Sequence, residues 1–370
     1  MYTIVSVATT WGAPLLGGIV SQTSAGFSLQ FTILSSFFAV AVPALTLGAP
    51  ETVFDRAYTR SEPKTNASYF DKSFPSAPLT IWSVEGFMDY AARMKPVSYQ
   101  GDINKSILMQ APRAFIAPTT LLLFLVSFIP VGMLWSLASC ASMLFSPLPF
   151  MLTPGSLGEL MAGPWLFATV AVAFFAFFPW WHTNFNSRMH MIALFGGTAL
   201  SFIGIIVFGL HLDACMTPPA GDEGDTSRFA LDYLGTSVSF PVLSFLLGLL
   251  ATGVYVLDAI VRPLIHRSTQ FTSSNLGIAR RNTTDMNAGV GFWRTLLSGI
   301  LVISIPVTAS SFDTLRALGI GLSIAQIIIV TIVGSAWYLW DENIRRYDGR
   351  AMRLVDLDIL KRNGSFFDSD

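Results

Sequence analysis

The sequence predicts an all-α, polytopic membrane protein of about eight transmembrane helices. Three observations carry that prediction. Of the 370 residues, 52% are hydrophobic and only 12% charged, where a soluble domain carries about 25% charged residues. Apolar runs of about 20 residues, enough to cross a bilayer, recur along the chain. The basic residues between the runs fall on one side when sides alternate. Thirty phenylalanines add apolar area that a soluble core of this length could not bury behind a charged exterior.

The runs are 2–21, 28–49, 114–140, 160–181, 190–212, 239–261, 292–311 and 317–340. The first contains several Thr and Ser, and Met1 leads straight into it without a basic n-region or cleavage site. It therefore reads as a membrane segment and not as a signal peptide. Within it, Ala13-Pro14-Leu15-Leu16-Gly17-Gly18 combines a helix-bending Pro with small residues that let helices approach closely. Such a pattern serves either a helix that rocks or ordinary close packing. The second run ends at Gly48-Ala49-Pro50-Glu51-Thr52, with Asp55 and Arg56 beyond, which stops a helix and places charge at the interface.

In the long segment 50–113, Ile81, Val84, Phe87, Met88 and Ala91 have the spacing of an amphipathic helix. It lies either on the membrane face or within a small loop subdomain. Stretches 61–78 and 268–288, rich in Ser, Thr, Pro and Asn, predict flexible loop. The last two runs, joined around Phe312, Asp313 and Arg316, are expected to be antiparallel neighbours.

Placing 50–113 in the cytoplasm puts 20 of the 22 Lys and Arg inside, leaving only Arg228 and Arg316 outside. That is a strong positive-inside pattern. The outer loop 213–238 carries Asp213, Asp222, Glu223, Asp225 and Asp232. Both termini are then cytoplasmic. The glycosylation sequons at Asn66, Asn104, Asn282 and Asn363 fall on the same side and read as chance matches.

A net charge of -1 argues against a nucleic-acid binder, which would need a basic patch. Cys140 and Cys215 form no metal cluster and no disulfide framework; one bridge or two buried thiols remain open. No HExxH, GxSxG, phosphate-binding Gly loop or intramembrane pair of carboxylates is present. No enzyme activity, cofactor or metal is expected.

An ionisable group inside a span is a functional candidate because burying it is costly. Asp258 qualifies, against the simpler reading of an exposed pair with Arg262 four residues on. Arg294 qualifies too, against snorkelling to lipid phosphates. His211 and Asp213, at the outer end of their run, serve either proton coupling or an interface. His182 and His190 read as loop or interface residues. Trp135 and Tyr255 are candidates to line an apolar cavity. Trp180, Trp181, Trp337 and Trp340 fit interfacial belts. Gln326 suits an interhelical hydrogen bond.

Together, the Ala13–Gly18 and Gly48–Thr52 motifs resemble the major facilitator superfamily, specifically its fungal drug:proton antiporter-like members. There the fifth helix carries Gly-Pro-x-x-Gly-Gly and the sixth ends in Pro-Glu-Thr near an Arg. Here Ala13 replaces the first Gly, and Arg56 follows Thr52. Phe145-Ser146-Pro147-Leu148-Pro149-Phe150, then Thr153-Pro154 and Gly158, is similar to the loop between the seventh and eighth helices. Tyr255 and Asp258 are similar to the Tyr-x-x-Asp of the tenth, and Arg294 to an Arg at the start of the eleventh.

The resemblance covers nearly the whole chain and implies helices five to twelve of a twelve-helix plan, without the first four. Residues 1–49 would be the last two helices of the N-terminal bundle, 50–113 the cytoplasmic central loop, 114–340 a six-helix C-terminal bundle and 341–370 a cytoplasmic tail. It implies a secondary active transporter of small organic molecules, working by proton-coupled export and alternating access in the manner of multidrug efflux. The site would be bordered by the Pro14 helix and the 114–140, 239–261 and 292–311 helices. Candidate lining or gating residues are Pro14, Gly17, Gly18, Trp135, Tyr255, Asp258 and Arg294, with Pro50, Glu51, Thr52 and Arg56 as a helix-end motif. Implied partners are a small hydrophobic or amphiphilic substrate, protons and the lipid bilayer, for a monomer in the plasma membrane or, second, the vacuolar membrane. Alternatively, a chain lacking four helices is a fragment, an incomplete gene model, or a transport-incompetent pseudo-transporter or scaffold.

Overall fold

The computed structural model describes residues 2–23, 26–48, 110–146, 151–178, 187–216, 239–272, 276–309 and 312–352. Among these the secondary structure is helical, with no strand. The helices are α1 (Tyr2–Ser21), α2 (Gly26–Gly48), α3 (Gln110–Ile116), α4 (Pro118–Phe145), α5 (Pro154–Leu160), α6 (Ala162–Phe177), α7 (Ser187–Met216), α8 (Phe240–Thr272), α9 (Leu276–Ala309) and α10 (Phe312–Ala351). Pro50, Glu51, Thr52, Arg56, the 61–78 and 81–91 stretches, and the sequons at Asn66, Asn104 and Asn363 lie outside the described residues.

Seven of the eight expected runs are long and apolar enough to cross a membrane; the eighth, in α2, contributes a shorter apolar stretch, Ser28–Ala44. The chain divides into two units, Gln30–Leu108 and the remainder. Of the first, the body of α2 is described, with Pro43 inside the helix.

In the larger unit α8 packs against α4, α6, α7, α9 and α10, while α1 lies along α5 and α6. Small residues set these crossings. A Cβ on Gly253 of α8 would lie 2.2 Å from Ser201 Oγ and 2.6 Å from Gly197 O of α7. A Cβ on Gly18 of α1 would lie 2.5 Å from the Gly158 Cα of α5, and one on Gly158 would lie 2.9 Å from Leu15 O and 3.2 Å from Pro14 O. Backbones can approach this closely only where neither side carries a side chain, and such approach drives association where lipid removes the hydrophobic gain.

Polarity is turned inside out relative to a soluble protein. Leu296, Ile300, Ile303 and Val307 form an exposed stripe on α9, and Ile324, Ile328 and Ile332 another on α10. Ser127, Ser136, Ser201, Ser323 and Gln326 are buried. A water-facing surface does not carry such stripes. The arrangement fits an integral, multi-pass membrane protein.

Several expectations are corrected. The described residues of the 268–288 stretch are helical, forming the end of α8 and the start of α9; 273–275 lie outside the described residues. The hydroxyls of Thr269, Thr283 and Thr284 donate to the carbonyls of His266, Ala279 and Arg280 three or four residues back, so residues that usually compete with a helix are satisfied inside it. The run expected at 160–181 begins at Pro154, with Thr153 accepting from Ser156 N as the cap. The last helix continues past 340 to Ala351 after a break at Trp340 (φ −127°, ψ 22°). Helices α9 and α10 touch, but α9 lies chiefly along α4, and α10 along α7 and α4. Trp337 is buried against Ile260 and Leu194, not exposed on the outer surface of the bundle. Asn282 is fully buried within α9, which closes that sequon to a glycosyltransferase.

Gly18→Val is expected to destabilise the folded protein by about 1–3 kcal/mol, the usual range for overpacking, because backbone cannot step aside. Gly299→Ala, at a position with nothing within 4 Å, should be neutral or slightly stabilising. Thermal melting in one detergent compares them; equal melting temperatures would contradict the tight α1–α5 crossing.

Candidate functional site

Trp11 sits at the middle of α1 and is 1% exposed. A buried indole N–H needs an acceptor, and Trp11 Nε1 donates to the Tyr255 phenol oxygen of α8 at 3.0 Å. On its other side the Trp11 ring stacks on Trp135 of α4, with centroids 5.3 Å apart and planes at 22°. Tyr255 and Asp258 are three apart on α8 and share a face. Asp258 Oδ1 accepts from Arg294 Nη1 of α9 at 2.6 Å. A line of five side chains thus joins α4, α1, α8 and α9 through the apolar part of the bundle.

The antiparallel register of α8 and α9 explains the ion pair. Thr269 and Thr283 hydroxyls meet at 2.7 Å, and counting eleven residues back on α8 and eleven forward on α9 brings Asp258 opposite Arg294. The additional residues between them extend both helices past the apolar runs without separating the two charges. Asp258 is therefore bridged to Arg294 across the helix pair, and the described structure contains no i,i+4 bridge to Arg262. Arg294 grips a carboxylate, which differs from the snorkelling alternative.

The structure brings Trp135, Tyr255, Asp258 and Arg294 together, and Trp11 is the link. Pro14, Gly17 and Gly18 lie one to two turns further along α1. Gly18 and the Pro14 carbonyl face Gly158, and the Gly17 carbonyl accepts from Ser21 Oγ. The sequence reading passed over Trp11, although a Trp at mid-span, away from the interfaces where Trp usually collects, is the signal that marks it. Gln326 Nε2 donates to Val126 O at 2.7 Å, the interhelical bond expected of it. Cys140 is a buried free thiol, and the Cys215 side chain lies outside the described residues.

A second polar cluster was missed entirely. Asp348, assigned from sequence to a cytoplasmic tail, is 2% exposed. It accepts from Thr119 N at 2.9 Å, from the Thr119 hydroxyl and from the Ser268 hydroxyl at 2.5 Å. Thr119 is the second residue of α4, whose N-cap position is Ala117, with no side chain to cap it. Asp348 supplies from α10 the acceptor and negative charge that a helix N-terminus favours. On the same face of α10, Asp341 bridges Arg267 of α8 at 2.9 Å and Arg345 at 2.6 Å. Arg345 also stacks over Phe271 at 4.5 Å. The segment after Trp340 is therefore fastened to the start of α4 and the end of α8.

His190, expected in a loop or interface, is buried at the first turns of α7. It lines a cavity of about 270 Å³ with Arg267, Trp337 and Asp341. His211 is half-buried in the last turns of the same helix.

Comparison with protein-family models, with curated proteins and with solved structures finds no match.

Proposed function

We propose that the chain is a proton-coupled secondary transporter of small organic molecules that works by alternating access, as its resemblance to the major facilitator superfamily implies. The observation that carries the reading is the Asp258–Arg294 pair within apolar helices, connected through Tyr255 to Trp11 on α1. Ion pairs within spans are costly and mark transport pathways by default. Protonating Asp258 removes the charge that Arg294 grips, so one proton biases the α8–α9 contact between two states. The Tyr255–Trp11 bond couples that change to α1. Trp135, exposed on its outer face and held from behind by the buried Trp11 ring, offers aromatic surface to a hydrophobic or amphiphilic substrate. The tight α1–α5 crossing then acts as a closed gate. Export across the plasma membrane is the direction and place this reading favours.

The test is coupled flux. The purified chain is placed in proteoliposomes with an internal pH dye, and hydrophobic and amphiphilic organic compounds are added under an imposed pH gradient. At least one compound is expected to move protons, and Asp258→Asn should abolish that movement while leaving substrate binding within about threefold. Undiminished proton movement in Asp258→Asn would remove the assigned role. No movement with any compound would favour a transport-incompetent scaffold.

A further inference from the structure

The groove between α8 and α9 at the far end of the ion pair is a separate feature. A cavity of about 340 Å³ is lined there by Arg262, Pro263, His266, Thr283, Thr284 and Asn287. Among the described residues no carboxylate lines it. Asp258, one turn away on α8, is held by Arg294, and Asp285 does not line the cavity. His266 Nε2 lies 2.8 Å from the Gln270 amide nitrogen. The amide must donate there, which leaves the imidazole proton on Nδ1. Arg262, His266 and the Asn287 amide thus supply hydrogen-bond donors. Arg280, one turn before Thr284 on the same face of α9, adds a second permanent positive charge nearby.

The depth of the groove selects the ligand. The apolar run of α8 ends at Val261, immediately before Arg262, and that of α9 begins at 292, little more than one turn after Asn287. Both helices therefore change from apolar to polar at the level of the groove, which is where lipid phosphates lie. Basic pockets between helices at that depth suit anionic headgroups.

We propose that this groove binds the phosphate of an anionic phospholipid from the leaflet at that end of the bundle, with Arg262 and His266 as its principal donors. The site stands apart from the transport reading, and its test does not require transport.

Dioctanoyl phosphatidic acid, dioctanoyl phosphatidylcholine and inorganic phosphate are titrated separately onto the purified full chain, with native mass spectrometry and melting temperature as readouts. Phosphatidic acid is expected to bind and raise the melting temperature, with the other two far weaker. Arg262→Gln with His266→Gln should weaken phosphatidic acid binding about tenfold, since one surface charge and one hydrogen-bond donor are removed together. Arg262→Lys, which keeps the charge, should lose less than about threefold and guards against a variant that fails to fold. Equal binding of inorganic phosphate would overturn the lipid assignment in favour of a soluble anion. Undiminished phosphatidic acid binding in a folded double variant would overturn the site.

Discussion

Asp258→Ala is expected to destabilise the protein by about 2 kcal/mol, and adding Arg294→Ala should recover most of that loss. Removing one partner of a buried pair costs about 3–5 kcal/mol because the other charge is stranded. The lower figure applies because the two side chains are 42% and 25% exposed on the protein itself. Each single variant strands a charge or an acceptor among apolar helices, whereas the double variant strands neither. A double-mutant cycle isolates the coupling. It is read as reversible unfolding in one detergent or bilayer mimic, with coupling of at least about 1 kcal/mol expected. Additive single effects would sink the claim that these residues hold α8 to α9. The double variant should be stable and yet fail to couple protons, which separates the structural role of the pair from its proposed function.

Asp348→Ala should be at least as damaging, at about 3 kcal/mol. Its carboxylate accepts three hydrogen bonds while almost fully buried, and hydrogen bonds to charged groups contribute about 1.5–3 kcal/mol each, though not additively. Losing it also leaves the first turn of α4 uncapped. Asp348→Asn keeps one acceptor oxygen and should lose roughly half as much. Ala117→Ser offers a cap from within α4 itself, worth about 1 kcal/mol, so it should partly rescue Asp348→Ala. Limited proteolysis gives a second readout, since cleavage after Trp340 should accelerate in Asp348→Ala and slow again in the rescued variant. If Asp348→Ala melts with the parent chain, the docking of the 341–351 segment is not what holds this end of the bundle.

The spans were legible because apolar length is a property of local sequence. Their ends were less so. Thr269, Thr283 and Thr284 look like loop residues in sequence, yet each returns its hydroxyl to the preceding turn, and α8 supports α9 beyond the apolar run. Helical spacing showed that Asp258 and Arg262 share a face, but it carries no information about which residue stands across from them. Arg294 emerges as the partner only from the antiparallel register. Asp348 was hidden for a related reason: a charged residue past the last apolar run resembles a solvated tail until the break at Trp340 turns it onto Thr119. The Asp341, Arg345 and Asp348 spacing of four and three was visible, and it now reads as one docked face. Pro14, Gly17 and Gly18 were recognised as a motif that serves either rocking or packing. The structure places Gly18 at a tight crossing, and alternating access requires that same crossing to loosen.

That requirement gives the most direct test. Spin labels on cysteines introduced at Thr23, at the end of α1, and Ser156, at the start of α5, report the separation of the two helices in a chain reconstituted in lipid. Two distance populations are predicted, with the shorter one corresponding to the arrangement described above. Their ratio should shift when pH is changed or a transported compound is added, and Asp258→Asn should lock one of them. A single distance, unmoved by pH, by compounds and by Asp258→Asn, would contradict a transporter that opens between α1 and α5.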